Sequence, residues 1–536
     1  MKPLSKRAML AGAASALITV AWVAARALPR PGAASSGADS IAVRRVGDSA
    51  PERSRPEAAC PDQPAPARRA GDSAPERSRP EAARPDQQAP VVELAARQRD
   101  LEFYRARVEH DPGSAADLAA LAGLYLQRAR DGGGVSDYRL AEHAARRSLA
   151  IREARNGRSL LNLASALLAQ HRFPEALAAA QRLLAADPES PSYRALLGEL
   201  QLELGHYHAA DSTFSTLRRH VANLAVAPRA ARWVELNGNT EQARLILYAA
   251  RDSALHRPDL PREQVAWFHL RIADLELRAG RVREARDALR EGLALRPADP
   301  RLLSLMARAE AARGRLRQAI RYGEQAGDRA DIATLALLGD AHAALGHHQT
   351  AERYFEAVEA AASSNPEPFN RQWTQFRLDH GRHTAETLAI LVREAGRRGD
   401  VLGYDMLAWA LFQAGRLQDA RDASKQALRL GTRDASFHFH ASIIERALGF
   451  EAEARAHLRR ALDINPHVFQ LLPGSVQGIV AAKSGAWRAG RSGTSVLRMR
   501  DGRRVEDWVV NDQLSMLQQL GLVQLGSPQA MPVAAR

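Results

Sequence analysis

A small residue, alanine in nine of ten cases, recurs at a nearly constant interval along this 536-residue chain. Successive intervals are 35, 34, 33, 42, 34, 32, 35, 34 and 34 residues. A period near 34 residues is typical of arrays of helical hairpins, in which each repeat packs on its neighbours. The ten positions are Ala141, Ala176, Ala210, Ala243, Ala285, Ala319, Ala351, Glu386, Ala420 and Ala454.

A second small residue precedes most of these positions, and a glycine usually lies between the two. Two antiparallel helices cross closely only where bulky side chains are missing. Glycine ends the first helix without a steric penalty because it adopts positive φ. Leu196, Leu200 and Phe214 flank the small residues at helical spacing, which predicts stacked helix–turn–helix units. The predicted turn glycines are Gly205, Gly238, Gly280, Gly314, Gly346, Gly381, Gly415 and Gly449.

The segment from Tyr193 to Leu217 resembles the tetratricopeptide repeat, because it follows the family's order of aromatic, Leu-Gly, Gly-x-Tyr, Ala and Phe. The resemblance extends over residues 91–466, about ten units, and implies an all-α fold: a right-handed superhelical solenoid. One unit departs from the pattern, because Thr374 and Glu386 stand where small residues are expected. Either its helices cross less tightly, or its boundaries lie elsewhere.

The resemblance also implies that the first helix of each hairpin faces a concave groove, which is where ligands of such arrays bind. The predicted partner is therefore a protein or peptide segment. Aromatic residues concentrate in the carboxyl-terminal half, and aromatics beside arginine are typical of interaction hot spots. The alternative is that they fill the core between adjacent repeats. The candidate groove residues are Arg271, Asp274, Arg308, Asp340, Arg371, Gln375, Asp405, Trp409, Phe412, Phe439 and His440.

Catalytic and cofactor motifs are not found in the sequence: it has no phosphate-binding loop, no Gly-x-Ser-x-Gly elbow and no zinc-binding cysteine pair. His380 and His383, with Asp379, flank the Gly381 turn and could meet as metal ligands. Turn histidines are usually simply exposed, so no metal site, catalytic residue or cofactor is predicted. An enzyme whose residues escape motif recognition, or an accessory subunit of one, remains an alternative.

The amino terminus has the form of an export signal. Lys2, Lys6 and Arg7 precede an uncharged, largely apolar stretch at 8–25. Residues 1–26 are therefore predicted to be a signal peptide or an N-terminal membrane anchor, with the rest of the chain translocated to the cell envelope. Residues 27–90 contain a 24-residue tandem duplication and are rich in Pro, Ala and Arg, which predicts a disordered linker.

The carboxyl-terminal residues 467–536 lose the helical period. Residues 496–500 and 503–510 predict a β-hairpin around Asp501-Gly502, and a helix is expected at Asp512–Leu520. We expect this small α/β module to cap the array.

The net charge of +14 raises the possibility of nucleic-acid binding. Along most of the array, however, arginines alternate with acids, which is typical of solvated helix faces. Residues 483–504 differ, with seven basic residues against the single acid Asp501. Binding of nucleic acid, anionic lipid or an acidic partner there, as in a cytoplasmic regulator, is the alternative. The prediction that we carry forward is a non-enzymatic scaffold in cell-envelope assembly or transport.

Overall fold

The computed structural model describes residues 85–131, 134, 136–364 and 370–468, together with the backbone of residues 494–500 and 503–510. Within these ranges the chain forms 21 α-helices and two β-strands. The all-α repeat fold that the sequence predicts is confirmed. The helices are α1 Pro85–His110, α2 Ala115–Arg130, α3 Ser136–Ile151, α4 Gly157–Ala169, α5 Phe173–Ala186, α6 Pro191–Glu203, α7 Tyr207–Thr216, α8 Ala227–Leu236, α9 Thr240–Leu255, α10 Arg262–Arg278, α11 Val282–Leu295, α12 Pro300–Ala311, α13 Leu316–Gln325, α14 Ile332–Ala344, α15 His348–Ser364, α16 Arg371–Asp379, α17 Thr384–Ala395, α18 Val401–Gln413, α19 Leu417–Leu428, α20 Ala435–Ala447 and α21 Glu451–Ile464. The strands are β1 Thr494–Arg500 and β2 Arg503–Val510.

From α2 onward, each even-numbered helix packs on the odd-numbered helix that follows it, so the described residues contain ten helical hairpins in a row. We call the two members of each hairpin its first and second helix. First helices of successive hairpins contact one another, as α10 does α12 and α18 does α20. Contacts between successive second helices are at most marginal in the described part of the chain. The first helices therefore lie on the inner side of the curved array.

The recurring small residues lie in the second helices and allow close crossing, as predicted. Ala176, Ala210 and Ala285 are completely buried. All eight predicted turn glycines have positive φ, between +62° and +85°. The sequence pattern thus marks both the crossing point and the turn of each hairpin.

The hairpin α16–α17 is the irregular unit that the sequence singles out. Glu386, the residue at the expected interval, is mostly exposed, whereas the next residue, Thr387, is buried. Two residues of the turn, Gly381 and His383, have left-handed backbone conformations, so the turn is distorted. Both alternatives therefore hold: the boundary of this unit lies one residue further along, and its two helices are in looser contact than those of the other described hairpins.

Gly198 on α6 offers a test of the close crossing. A Cβ atom at this position would lie 2.8 Å from Cζ of Phe214, a buried ring on α7. We expect Gly198→Ala to lower the free energy of unfolding by about 1–2 kcal/mol, even though alanine favours helix, because overpacking displaces the ring. Gly396→Ala is the control, since its Cβ would make only ordinary contacts. Urea titration of both variants measures the difference, and equal stabilities would contradict close packing at this crossing.

The second superhelical turn packs directly on the first, along a contact that we call the seam. Three side chains that lie between hairpins of the second turn, or just after its last described helix, donate hydrogen bonds to main-chain carbonyls near the ends of first helices in the first turn. Arg398 Nε donates to the carbonyl of Glu203 (2.8 Å), Thr432 Oγ1 to that of Leu236 (2.5 Å) and Asn465 Nδ2 to that of Leu277 (3.2 Å). The last carbonyls of a helix have no partner within it, so such bonds satisfy acceptors at helix ends. The Leu277 carbonyl also accepts from the Gly280 amide at 3.1 Å.

Apolar packing and buried charge reinforce the seam. Tyr207 of the first turn shares a core cluster with Val401 and Phe437 of the second, and its hydroxyl accepts a hydrogen bond from the Val401 amide (2.8 Å). The carboxylate of Glu203 is buried and pairs with Arg398 at 2.9 Å. Hairpins about 195 residues apart in sequence are therefore packed together, as the separation of Glu203 and Arg398 shows.

The two strands pair antiparallel, with Val496 opposite Trp508 and a register shift between Arg498 and Met499. They occupy the segments in which the hairpin is predicted. The helix expected at Asp512–Leu520 lies outside the described residues, so the α/β module and its capping role stay predictions.

The signal or anchor at residues 1–26 also lies outside the described residues. So does the 27–90 linker, except that α1 begins at Pro85, inside it. Among the helices that the structure describes, none combines the length and the apolar character that crossing a membrane requires.

Candidate functional site

The inner face of the superhelix carries charged side chains on its first helices. On α10, Asp274 lies three residues after Arg271 and four before Arg278, so all three project from one side of the helix. Both arginines reach the Asp274 carboxylate, at 3.2 and 2.5 Å, and Arg278 also binds Glu235 of α8 at 2.7 Å. Arg278 thus links the first helices of neighbouring hairpins.

Arg308 extends this group onto α12, where its side chain is exposed. Burial alone would raise the pKa of Asp274, but Arg278, Arg271 and Arg308 outweigh it and hold that pKa below its usual value. The structure therefore brings together three predicted groove residues, Arg271, Asp274 and Arg308, in a predominantly basic part of the inner face. Their contact with a ligand stays a prediction.

A second group forms where α14, α16, α18 and α20 meet. His380 Nε2 lies 2.9 Å from Asp340 Oδ1, and His440 Nδ1 lies 3.0 Å from Asp405 Oδ2. Between them, Asp379 accepts a hydrogen bond from Gln375 Nε2 at 2.8 Å. Four predicted groove residues, Asp340, Gln375, Asp405 and His440, are thus brought together with two that were not selected. We call these six residues the His–Asp cluster.

Electrostatics distinguish the His–Asp cluster from the arginine-rich group. Burial raises the pKa of Asp379 to about 6, although His440, Gln375 and His380 favour its charged form. Its carboxylate is therefore less well compensated than that of Asp274, whose pKa is lowered by arginines. The inner face consequently carries an arginine-rich group at α10 and α12, and paired histidines and carboxylates from α14 to α20.

The aromatic side chains are predicted to form a binding hot spot, and the structure corrects this prediction. Trp409, Phe412 and Phe439 are at most 1% exposed, so they belong to the core between repeats. Trp409 stacks on Phe412 with ring centroids 5.0 Å apart and on His440 at 4.6 Å. The cause is that α18 is covered by its own second helix and by the first helices on both sides.

The prediction that Arg371 lines an open groove is also corrected, because this residue contributes to the seam. Its guanidinium pairs with Asp400, and the nearby Glu203 also raises its pKa against the effect of burial. A helical projection of α16 alone does not show that another superhelical turn lies against this residue.

Residues that the sequence interpretation missed include Arg278, Asp379 and His380. The spacing of Arg278 from Arg271 and Asp274 is a signal that could have found it. His380 and Asp379 attract attention in the sequence only as metal ligands, and the described residues contain no group of three or more His, Cys, Asp or Glu side chains that could hold a metal ion. The side chains of the inner face offer positive and negative charges, and hydrogen-bond donors and acceptors, to a polar polypeptide.

Comparisons with known proteins agree with this architecture. Residues 167–232 match one family model described as tetratricopeptide repeat, and residues 126–191, 270–331 and 406–468 match another with the same description. No curated protein matches the sequence. The matched segments leave parts of the array without a match, so the number of repeats stays a prediction.

Similar solved structures are distant in sequence. The APC/C hetero-tetramer Cut9–Hcn1 is 13% identical, covering 73% of this chain and 95% of that chain, with a TM-score of 0.28. A tetratricopeptide repeat protein from Parabacteroides merdae is 15% identical over 49% and 97% of the two chains, with a TM-score of 0.34. A thermophilic TPR protein from Thermus thermophilus is 23% identical over 38% and 99%, with a TM-score of 0.29. From its hairpins and its family matches, we conclude that this chain contains tetratricopeptide repeats arranged as a helical solenoid.

Proposed function

We propose that this chain is a non-enzymatic scaffold that binds a protein or peptide segment on the inner face of its superhelix. The tetratricopeptide fold is suited to protein–protein interaction. The observation that supports the inner face is its mixed charge, from the partly exposed Arg271 and Asp274 to Asp340. Small-molecule sites are mostly apolar and enclosed, whereas a polypeptide can use charges and hydrogen bonds spread over several helices.

We further propose that this binding serves cell-envelope assembly or transport. The support is the amino-terminal pattern, in which Lys2, Lys6 and Arg7 precede an apolar stretch of signal length. Residues 1–26 would export the chain or anchor it, and residues 27–90 would act as a spacer before the array. Fractionation of a tagged copy distinguishes this role from that of a cytoplasmic regulator.

Site-specific crosslinking in the native cell tests the binding surface. A photo-crosslinking residue at Arg308, which is exposed on the first helix α12, should capture a defined polypeptide. The photo-crosslinking residue placed at position 245 is the control. Leu245 is 68% exposed and lies on α9, a second helix, so it is outside the inner face. Capture from position 308 and not from 245 is the expected result.

A follow-up with the purified, identified partner makes the test quantitative. Arg308→Glu reverses the charge of a side chain that we expect to contact the ligand, and it should weaken binding about tenfold or more. If the affinity of this variant is unchanged, or if both positions crosslink equally, the inner face is not the binding surface.

A further inference from the structure

On the inner side, one histidine–carboxylate pair joins the irregular hairpin α16–α17 to α14, and a second pair joins α20 to α18. His380, at the end of α16, reaches back to Asp340 of α14 at 2.9 Å. Further along, His440 of α20 reaches Asp405 of α18 at 3.0 Å. Asp379 of α16 interacts electrostatically with both histidines. One cluster therefore spans the first helices of four successive hairpins.

The corresponding links in the first superhelical turn use arginine instead. Arg229 binds Glu199 at 2.7 Å, and Arg278 binds Glu235 at 2.7 Å. Arginine remains charged at every physiological pH, whereas the charge of histidine changes between about pH 5 and pH 8. Protonation can therefore alter the links around α16 without altering those in the first turn.

We propose that the His–Asp cluster is a pH-responsive joint: in mild acid it holds α16 against α14 and α20 against α18, and it releases them as the pH rises. The joint sets the curvature of the inner face around the irregular hairpin. Its action concerns the shape of that face and needs no ligand, so it is independent of the proposed binding function.

The groups around each histidine support this direction. Burial opposes protonation of His380, but Asp340 and Asp379 outweigh it, and its pKa is raised. Burial likewise opposes protonation of His440, but Asp405, Asp379 and Asp434 outweigh it, and its pKa is also raised. The neighbouring Arg382 lies over the rings of Phe355 and Phe376, which also contact His380, and pairs with Glu352 of α15.

The sign of the effect follows by linkage. A histidine whose folded pKa lies above the unfolded value of 6.5 adds stability below pH 6.5 and loses it as the pH rises through the folded pKa. The pKa of Asp379 rises from 3.8 to about 6, so this group also favours the folded state in acid and loses that contribution by about pH 6. All three groups therefore loosen the joint as the pH increases.

Another buried histidine pair has the opposite tendency. His438 Nδ1 lies 3.0 Å from His457 Nδ1, and burial lowers the pKa of His438 to about 4. Protonation of His438 therefore destabilises the α20–α21 hairpin as the pH falls below 6.5. The experiment must consequently measure the local stability of α16, because the global stability also includes the opposite effect of His438.

Hydrogen–deuterium exchange of the full-length protein, corrected for the intrinsic pH dependence of amide exchange, supplies that local readout. We expect the protection of α16 and α17 amides to fall about tenfold between about pH 5.5 and pH 8.5, because the histidines lose their charge over this range. The double variant His380→Gln, His440→Gln should lose this dependence. The variant His438→Gln, which replaces a buried histidine elsewhere on α20, should keep the pH dependence.

Asp379→Asn decides the question independently, should the double variant fold poorly. It removes a partly buried carboxylate whose ionisation opposes folding, and it keeps an oxygen that can accept the hydrogen bond from Gln375. We expect higher protection of α16 than in the wild type at pH 8.5. Protection of wild-type α16 that does not change with pH, or an unchanged pH dependence in the double histidine variant, would overturn the proposal.

Discussion

Replacing Arg398 with alanine should lower the free energy of unfolding by about 3 kcal/mol, because it removes one of the two arginines that pair with the buried carboxylate of Glu203. Arg398 is 7% exposed and binds both the carboxylate and the main-chain carbonyl of Glu203. It also lies over the ring of Phe173, 4.2 Å from the centroid. Arg232 remains as a second partner of Glu203 at 2.8 Å, which limits the loss.

The seam also predicts where the effect of Arg398→Ala appears. Repeat arrays are usually stabilised by contacts between neighbours only, so a change in one hairpin is felt locally. Here hydrogen exchange should increase in α6 and α7 of the first turn as well as around Arg398 itself. Arg182→Ala is the matched control, because its pair with Glu153 is largely exposed and contributes about 0–1 kcal/mol. Exchange that rises only in the second turn would contradict a seam in solution.

Trp409→Ala should destabilise the protein by about 3–5 kcal/mol, since it removes the largest fully buried side chain among the residues that the structure describes. The cavity would open between Phe412 and His440, the two rings on which Trp409 stacks. Denaturant titration measures the loss. A surface hot spot predicts the opposite result, in which partner binding fails but stability is unchanged.

Leu245→Ala provides the comparison for Trp409→Ala, because this apolar side chain is 68% exposed and should change stability by less than about 0.5 kcal/mol. Near wild-type stability of Trp409→Ala would indicate that the aromatic side chains are exposed and could contact a ligand. A large loss would show that Trp409 belongs to the core in solution, where it stacks on His440.

Much of the fold could be predicted from the sequence because the hairpin is a local structure. Gly205 is required by the turn between α6 and α7, and Ala210 by the close crossing of these two helices. The turn and the crossing each involve residues that are close together in the chain. The irregular hairpin shows the limit of this reasoning. Counting intervals selects Glu386, whereas the distorted turn at His383 moves the buried position to Thr387.

The candidate site could be predicted only in part. Helical spacing placed Asp274, Asp340 and Asp405 on the inner helices, because the projection of a single helix decides which residues share a face. It could not separate an open groove from a packed core. Trp409 and Asp405 lie four residues apart on one face of α18, and their burial depends on how closely α16 and α20 approach.

The sequence by itself determined the repeat, its turns and its close crossings, since these follow from backbone conformation and side-chain size within one hairpin. Only the tertiary structure decided that the second turn rests on the first, that Arg371 and Arg398 belong to a seam, and that a histidine links α16 to Asp340 of α14. The physical reason is that small rotations between neighbouring hairpins add up over a superhelical turn. No single repeat contains the information that brings residues about 195 positions apart into contact.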